Sequence, residues 1–241
     1  MPAPVHPAAT VLLLREDDGP AGYSVFMVRR SMKSSFMPGA YVFPGGRVDP
    51  EDADADVLVD DAVLHARFPD LPPDMGRAHL IAAVREVEEE ALIRLPDPGA
   101  LETWSRWVTP TIERKRFDAW FFVARLPENA VPTHDDHEVT ASAWVDPIDA
   151  LARYGDGEMI FAPPTWYTLW DLARYAGVDA VIAEGARRHV RPVMPRFEEI
   201  EGEMVILLPG DTLYPDENGV DGPTRLVMRG DGRWWAVGQA G

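Results

Sequence analysis

Apolar and polar positions follow two different periods along this chain. Val11 to Leu14 is an unbroken apolar run, as in a buried strand, and Asp17-Asp18-Gly19 reads as the turn after it. Tyr23 to Arg29 alternates as a second strand, and Ala40 to Phe43 leads into a glycine turn. Phe117 to Ala124 and Val139 to Val145 are strand-like, and Asp146-Pro147 is a cap followed by a first-turn proline, opening a helix to about Arg153. Between these strands the period changes. At about 100° per residue, Leu80, Val84, Val87 and Ala91 fall on one apolar stripe of a helix.

Through that helix runs Arg85-Glu86-Val87-Glu88-Glu89-Glu90, charged at every position but Val87. Glu86, Glu89 and Glu90, at i, i+3 and i+4, gather on one face, where like charges repel by about a few tenths of a kcal/mol per pair. A hard divalent cation turns that repulsion into attraction, and an all-oxygen carboxylate set suits Mg²⁺ or Mn²⁺. The alternative is a solvated acidic face. Phe43-Pro44-Gly45-Gly46-Arg47-Val48-Asp49 weighs against it, because paired glycines after a strand let backbone groups approach an ion or a phosphate closely.

A glycine turn followed by Arg-Glu-x-x-Glu-Glu on a helix resembles the signature of the Nudix hydrolase family. Counting five residues on from Gly46 reaches Asp52, where the family has Glu; Arg85, Glu86, Val87, Glu89, Glu90 and Ile93 then match in register. Three departures stand out. Asp52 is one methylene shorter than Glu, residues 53–84 make 32 where seven are expected, and Leu92 replaces the closing glycine. The split signature, with "RRSMKSSFMPGAYVFPGGRVDPED" before it and "TPTIERKRFDAWFFVA" after it, is similar to the branch containing the peroxisomal coenzyme A diphosphatase of animals.

The resemblance implies an α/β fold: a Nudix-type α/β/α sandwich with a curled mixed sheet, over residues 1–160, with 53–79 an insertion that packs over a site or a neighbour. It implies a metal site at Glu86, Glu89, Glu90 and the Gly45 carbonyl, with Glu86 also catalytic and Arg85 orienting the glutamates. The loop His134 to Val139 is where the family places a further ligand or general base; Glu138 fits best, with Asp135, Asp136 and His137 as rivals. Zinc on His134 and His137 is disfavoured for want of a third nitrogen or sulfur ligand. Candidate phosphate-binding residues are Arg30, Lys33, Arg47 and Arg116, while Arg187, Arg188 and Arg191 read as structural or interfacial. Trp104, Trp107 and Trp120 could stack on a base, with core packing favoured for Trp120.

Residues 161–241 read as an α+β extension packed on this domain, a lid or dimerisation element that would make a homodimer. Pro163-Pro164 precedes a helix bearing Trp166, Tyr167 and Trp170; a second helix runs from Val178 to about His189, and Met204 to Leu208, Arg225 to Met228 and Trp234 to Val237 are strand-like.

Charge narrows the partners. With 23 Lys and Arg against 40 Asp and Glu the net charge is −17, which disfavours nucleic acid and anionic membranes as partners. Zero cysteines exclude disulfides, thiolate metal sites and a cysteine nucleophile. No apolar run approaches a membrane span, so a cytoplasmic location is expected. The expected activity is metal-dependent hydrolysis of the diphosphate linkage in a small nucleoside diphosphate derivative, with coenzyme A or acyl-coenzyme A the specific candidate and nucleotide sugars, dinucleotides and NADH open. The rival is a non-catalytic Nudix module that senses a nucleotide.

Overall fold

The computed structural model describes residues 2–33, 37–55, 59–128, 130, 139–215 and 219–237. In chain order the elements are β1 (Val5–Glu16), β2 (Tyr23–Arg30), β3 (Tyr41–Val42), β4 (Gly45–Arg47), α1 (Pro50–Asp54), α2 (Asp61–Arg67), α3 (Pro73–Ala91), β5 (Glu102–Val108), β6 (Arg116–Arg125), β7 (Val139–Val145) and α4 (Pro147–Gly155). α5 (Pro163–Leu172), α6 (Val178–Gly185), β8 (Pro192–Val193), β9 (Arg196–Ile200), β10 (Glu203–Leu207), β11 (Arg225–Met228) and β12 (Trp234–Ala236) follow.

β1 organises a mixed sheet. One edge runs parallel to β6 from Val5↔Arg116 to Leu14↔Arg125. The other edge pairs with β2 only from Leu14↔Val25 to Glu16↔Tyr23, and then the two strands part. β3 fills the fork on the β2 side and β4 on the β1 side, with the Val11 amide donating to the Pro44 carbonyl at 2.8 Å. The glycine turn therefore sits in the split of the sheet. β7 completes β2, while β5 and β8 extend the sheet beyond β6.

Two apolar layers cover the two faces. Ala9, Val11 and Leu13 of β1, with Trp120 and Phe122 of β6, pack under α3. Leu12, Leu14, Tyr23, Phe121 and Val123 face α4, α5 and α6. The alternation along β1 and β6 is the period-2 pleat of a strand buried on both faces.

α3 is longer and more deeply buried than its narrow stripe implied, with His79, Ala82 and Ala83 enclosed beside Leu80 and Val87. The prolines at 72 and 73 start the helix, since a proline at its first position loses no internal hydrogen bond. The insertion thus supplies the first turns of the signature helix. Its α2 is capped by Asp60, whose side chain accepts the Ala62 amide at 2.8 Å. Phe68, just after α2, packs on Trp120 with ring centroids 4.8 Å apart. Burying that ring contributes about 2 kcal/mol.

β5 went unread in the sequence. A register shift between Thr103 and Ser105 puts Trp104 and Trp107 on the same side of the strand, which hides the period-2 signal. Trp104, Trp107 and Trp120 are all buried, which corrects the base-stacking reading for Trp104 and Trp107 and agrees with core packing for Trp120. Arg188 lies over the Trp104 ring at 3.5 Å and pairs with Asp171 at 2.6 Å, a structural role.

The C-terminal residues form the expected helices and strands, with α6 stopping at Gly185. β9 to β12 make a small antiparallel sheet in the order β12-β11-β10-β9, and β8 joins the main sheet alongside β5. Ile206, Leu208, Leu226 and Trp234 share the apolar layer of α5 and β6. Tyr154 locks the two parts together: its hydroxyl donates to the Trp234 carbonyl at 3.2 Å and accepts the Trp234 amide at 2.6 Å. Among the described residues no helix is long and apolar enough to cross a membrane.

Candidate active site

α3 lays its polar face against the glycine turn and α1. Arg85 is the hub. Its Nε and Nη2 donate to the two oxygens of Asp52, each at 3.0 Å, and Nη2 also donates to the Arg47 carbonyl at 2.9 Å. Nη1 reaches Glu86 Oε1 at 2.9 Å and Glu89 Oε1 at 3.3 Å. Asp49 stands 3.7 Å from the same guanidinium. These carboxylates, the Asp52 bonds foremost, hold the Arg85 guanidinium more firmly charged than an ordinary arginine.

Asp52 is buried and accepts the Asp49 amide at 2.8 Å besides both Arg85 bonds. Asp52 is thereby the anchor of Arg85. Its shorter side chain suffices because α1 brings its backbone close: Pro50 opens that helix and Asp49 caps it.

The glutamates meet the glycine turn directly. Gly45 donates its amide to Glu90 Oε2 at 3.0 Å. A methyl group built on Gly46 would come within 2.3 Å of Glu86 Oε1, so the missing side chain is what lets that carboxylate lie on the turn. Burial pushes the Glu86 carboxyl above the usual range, Arg85 opposes the shift, and the charges of Glu89 and Asp49 add to it. Leu92 ends the helix in the left-handed conformation, φ 54° and ψ 31°, so the backbone turn is the one a glycine would make.

Hard carboxylate oxygens on one helical face fit a divalent cation such as Mg²⁺ or Mn²⁺. Among the described residues no three acidic or histidine side chains converge into a formed metal cage. Arg85 Nη1 stands between Glu86 and Glu89, and Glu90 meets the Gly45 amide.

The expected phosphate-binding residues separate. Arg47 is exposed, with its guanidinium 5.8 Å from the centroid of the Phe117 ring. Lys33 is exposed beyond β2 and Arg30 is half-buried at the end of that strand. Arg116 is a correction: it is buried, and its guanidinium donates to the backbone carbonyls of Thr109 at 3.0 Å and Ala3 at 3.2 Å. A buried cation satisfied by backbone holds strand ends together. Glu138, its rivals and the two histidines of that loop lie outside the described residues. Asp49 was missed, although an Asp-Pro pair at a helix start is a readable cap signal.

A forked mixed sheet with a glutamate helix seated on a glycine turn defines a Nudix fold. A solved NUDIX hydrolase structure from Alicyclobacillus acidocaldarius matches with a TM-score of 0.64 and 24% identity, covering 75% of this chain and 96% of that one. The family description "NUDT19 Nudix domain" matches residues 89–172, from the end of the glutamate helix through α5. The acyl-coenzyme A diphosphatase NUDT19 of Xenopus laevis is 25% identical, over 88% of this chain and 77% of that protein. The NUDT19 of Homo sapiens is 27% identical, over 82% and 74% respectively. These likenesses support a Nudix hydrolase of the NUDT19 type.

Proposed function

We propose that this chain hydrolyses the diphosphate linkage of a small nucleoside diphosphate derivative, with coenzyme A or an acyl-coenzyme A as substrate. The observation that carries the reading is the junction of α3 with the glycine turn, where Gly45 holds Glu90, Gly46 makes room for Glu86, and Arg85 spans Glu86 and Glu89. The similar proteins named acyl-coenzyme A diphosphatases support the substrate class.

Breaking a P–O–P link requires neutralising charge on its nonbridging oxygens and directing a water in line with the leaving oxygen. Glu86, Glu89 and Glu90, with the Gly45 carbonyl, would hold Mg²⁺ or Mn²⁺, which supplies that neutralisation when bound. Arg85 acts through the glutamates: anchored on Asp52, it fixes the distance between Glu86 and Glu89. Glu138 is proposed as the general base, and Arg47, Lys33 and Arg30 as contacts for substrate phosphates. The chain is further proposed to work in the cytoplasm on small molecules, not on nucleic acid or membranes, with the C-terminal residues serving a homodimer.

The test is to incubate the protein with Mg²⁺ or Mn²⁺ and a panel of coenzyme A species, nucleotide sugars, dinucleotides and NADH, identifying products by mass. Cleavage of coenzyme A species ahead of the rest is the expected result. Ligand binding without turnover anywhere in the panel would instead establish a nucleotide sensor.

A further inference from the structure

The sheet face turned away from α3 carries a basic, aromatic corner next to the glycine turn. In β6, Phe121 and Val123 face the α5 layer while Trp120 and Phe122 face α3, so Phe117 lies on the α5 side. The same pleat puts His6 of β1 with Leu12 and Leu14, on that side as well. His6 pairs directly with Phe117, and Arg47 pairs with the neighbouring Ala8. Three basic side chains meet one phenyl ring there. The Arg47 guanidinium lies 5.8 Å and the Lys115 ammonium 5.5 Å from its centroid, and the His6 ring 6.4 Å.

Charge also bears on this corner. In a chain of net charge −17, Arg67, Arg106, Arg188 and Arg225 are each paired with a carboxylate. Arg47 and Lys115 are exposed and form no ion pair among the described residues. Two uncompensated cations beside one half-buried ring repel each other until an anion joins them. The corner also adjoins the carboxylate site, because the Arg47 carbonyl accepts Arg85 Nη2 at 2.9 Å.

We infer that Arg47, Lys115, His6 and Phe117 form a subsite for a phosphomonoester carried on the substrate outside the scissile diphosphate. A neutral ring alone would use Phe117 and leave both cations unmatched, and a carboxylate brings one charge. A phosphomonoester brings nearly two at neutral pH and three acceptor oxygens, which matches two cations and an imidazole. The assignment rests on the diphosphatase reading for what brings a phosphate to this corner.

Two readouts separate the subsite from the chemistry. The first is kcat/KM on coenzyme A against 3′-dephospho-coenzyme A. The second is calorimetric binding of adenosine 3′,5′-bisphosphate against 5′-AMP, which needs no turnover. Wild type should favour the 3′-phosphorylated member of each pair by about tenfold or more, the scale of one charge-assisted hydrogen bond. The Arg47→Met/Lys115→Met variant should bring both ratios toward one, and Lys115→Arg should keep most of the preference. No wild-type preference in binding, or a preference untouched by the double variant, overturns the subsite. Preferential binding without cleavage of either coenzyme would leave the subsite standing and remove the diphosphatase reading.

Discussion

Arg85 and Asp52 face each other through two hydrogen bonds, Nε to Oδ1 and Nη2 to Oδ2, each 3.0 Å. One partner is buried and the other partly open, so the pair is a lever: Asp52 fixes the arginine, and the arginine fixes the glutamates. Asp52→Asn removes the charge and turns a donor toward the guanidinium. The variant should unfold in urea with about 3 kcal/mol less stability, the scale for stripping one partner from an enclosed ion pair. Mn²⁺ affinity by calorimetry should fall as well, because a released Arg85 pairs more closely with Glu86 and Glu89. Unchanged stability and unchanged metal affinity would show that the lever does not operate.

Gly45 and Gly46 should answer differently to alanine. A methyl group at Gly45 would meet the Ala9 carbonyl oxygen at 2.4 Å, which is rigid strand backbone. Gly45→Ala should therefore cost stability and activity together. At Gly46 the obstacle is the Glu86 carboxylate, the free end of a side chain that can swing away. Gly46→Ala should keep its melting temperature within a few degrees and lose at least about tenfold in kcat, the scale expected when a catalytic group is displaced by an ångström or so. Thermal melts and steady-state rates on the pair decide it.

Leu92 adopts the left-handed conformation with an ordinary side chain, which costs about 1–2 kcal/mol relative to glycine. Leu92→Gly relieves that cost, part of which is returned by the greater freedom of glycine in the unfolded chain. A net gain of about 0.5–1 kcal/mol in chemical denaturation is the expected outcome. A loss of stability would mean that the exposed leucine makes contacts worth more than the strain.

His79 is buried between Phe68 and Trp120, with Nδ1 2.7 Å from the Met75 carbonyl oxygen. Burial lowers its pKa below the usual 6.5, the backbone bond opposing. With the folded value depressed, the unfolded chain takes up the proton first as pH falls. Stability should decline below pH 6.5 until the folded pKa is passed, with a slope of up to about 1.4 kcal/mol per pH unit. Urea titrations between pH 7.5 and 5.5 on wild type and His79→Leu test this. Identical slopes in the two proteins would contradict it.

Strands such as β2 and β7 were readable from the chain, although β2 is buried on both faces, and so was the carboxylate face of α3, because charge at i, i+3 and i+4 needs no tertiary information. β5 was hidden by its bulge, and the start of α3 by prolines that serve equally as breakers and as first-turn residues. Asp52 and Arg116 show a second limit. A sequence gives the charge of a side chain, but its partner is chosen by backbone brought from elsewhere: α1 for Asp52, and the Thr109 and Ala3 carbonyls for Arg116.

The metal platform proposed for α3 is tested most directly by the products of coenzyme A in Mn²⁺, compared among wild type, Glu89→Gln and Glu90→Gln at matched melting temperatures. Wild type should release the two halves of the cleaved diphosphate, and each variant should do so at least about a hundredfold more slowly, the loss expected when charge stabilisation of the transition state is removed. Near-wild-type rates in both variants would contradict a metal-dependent diphosphatase built on these glutamates.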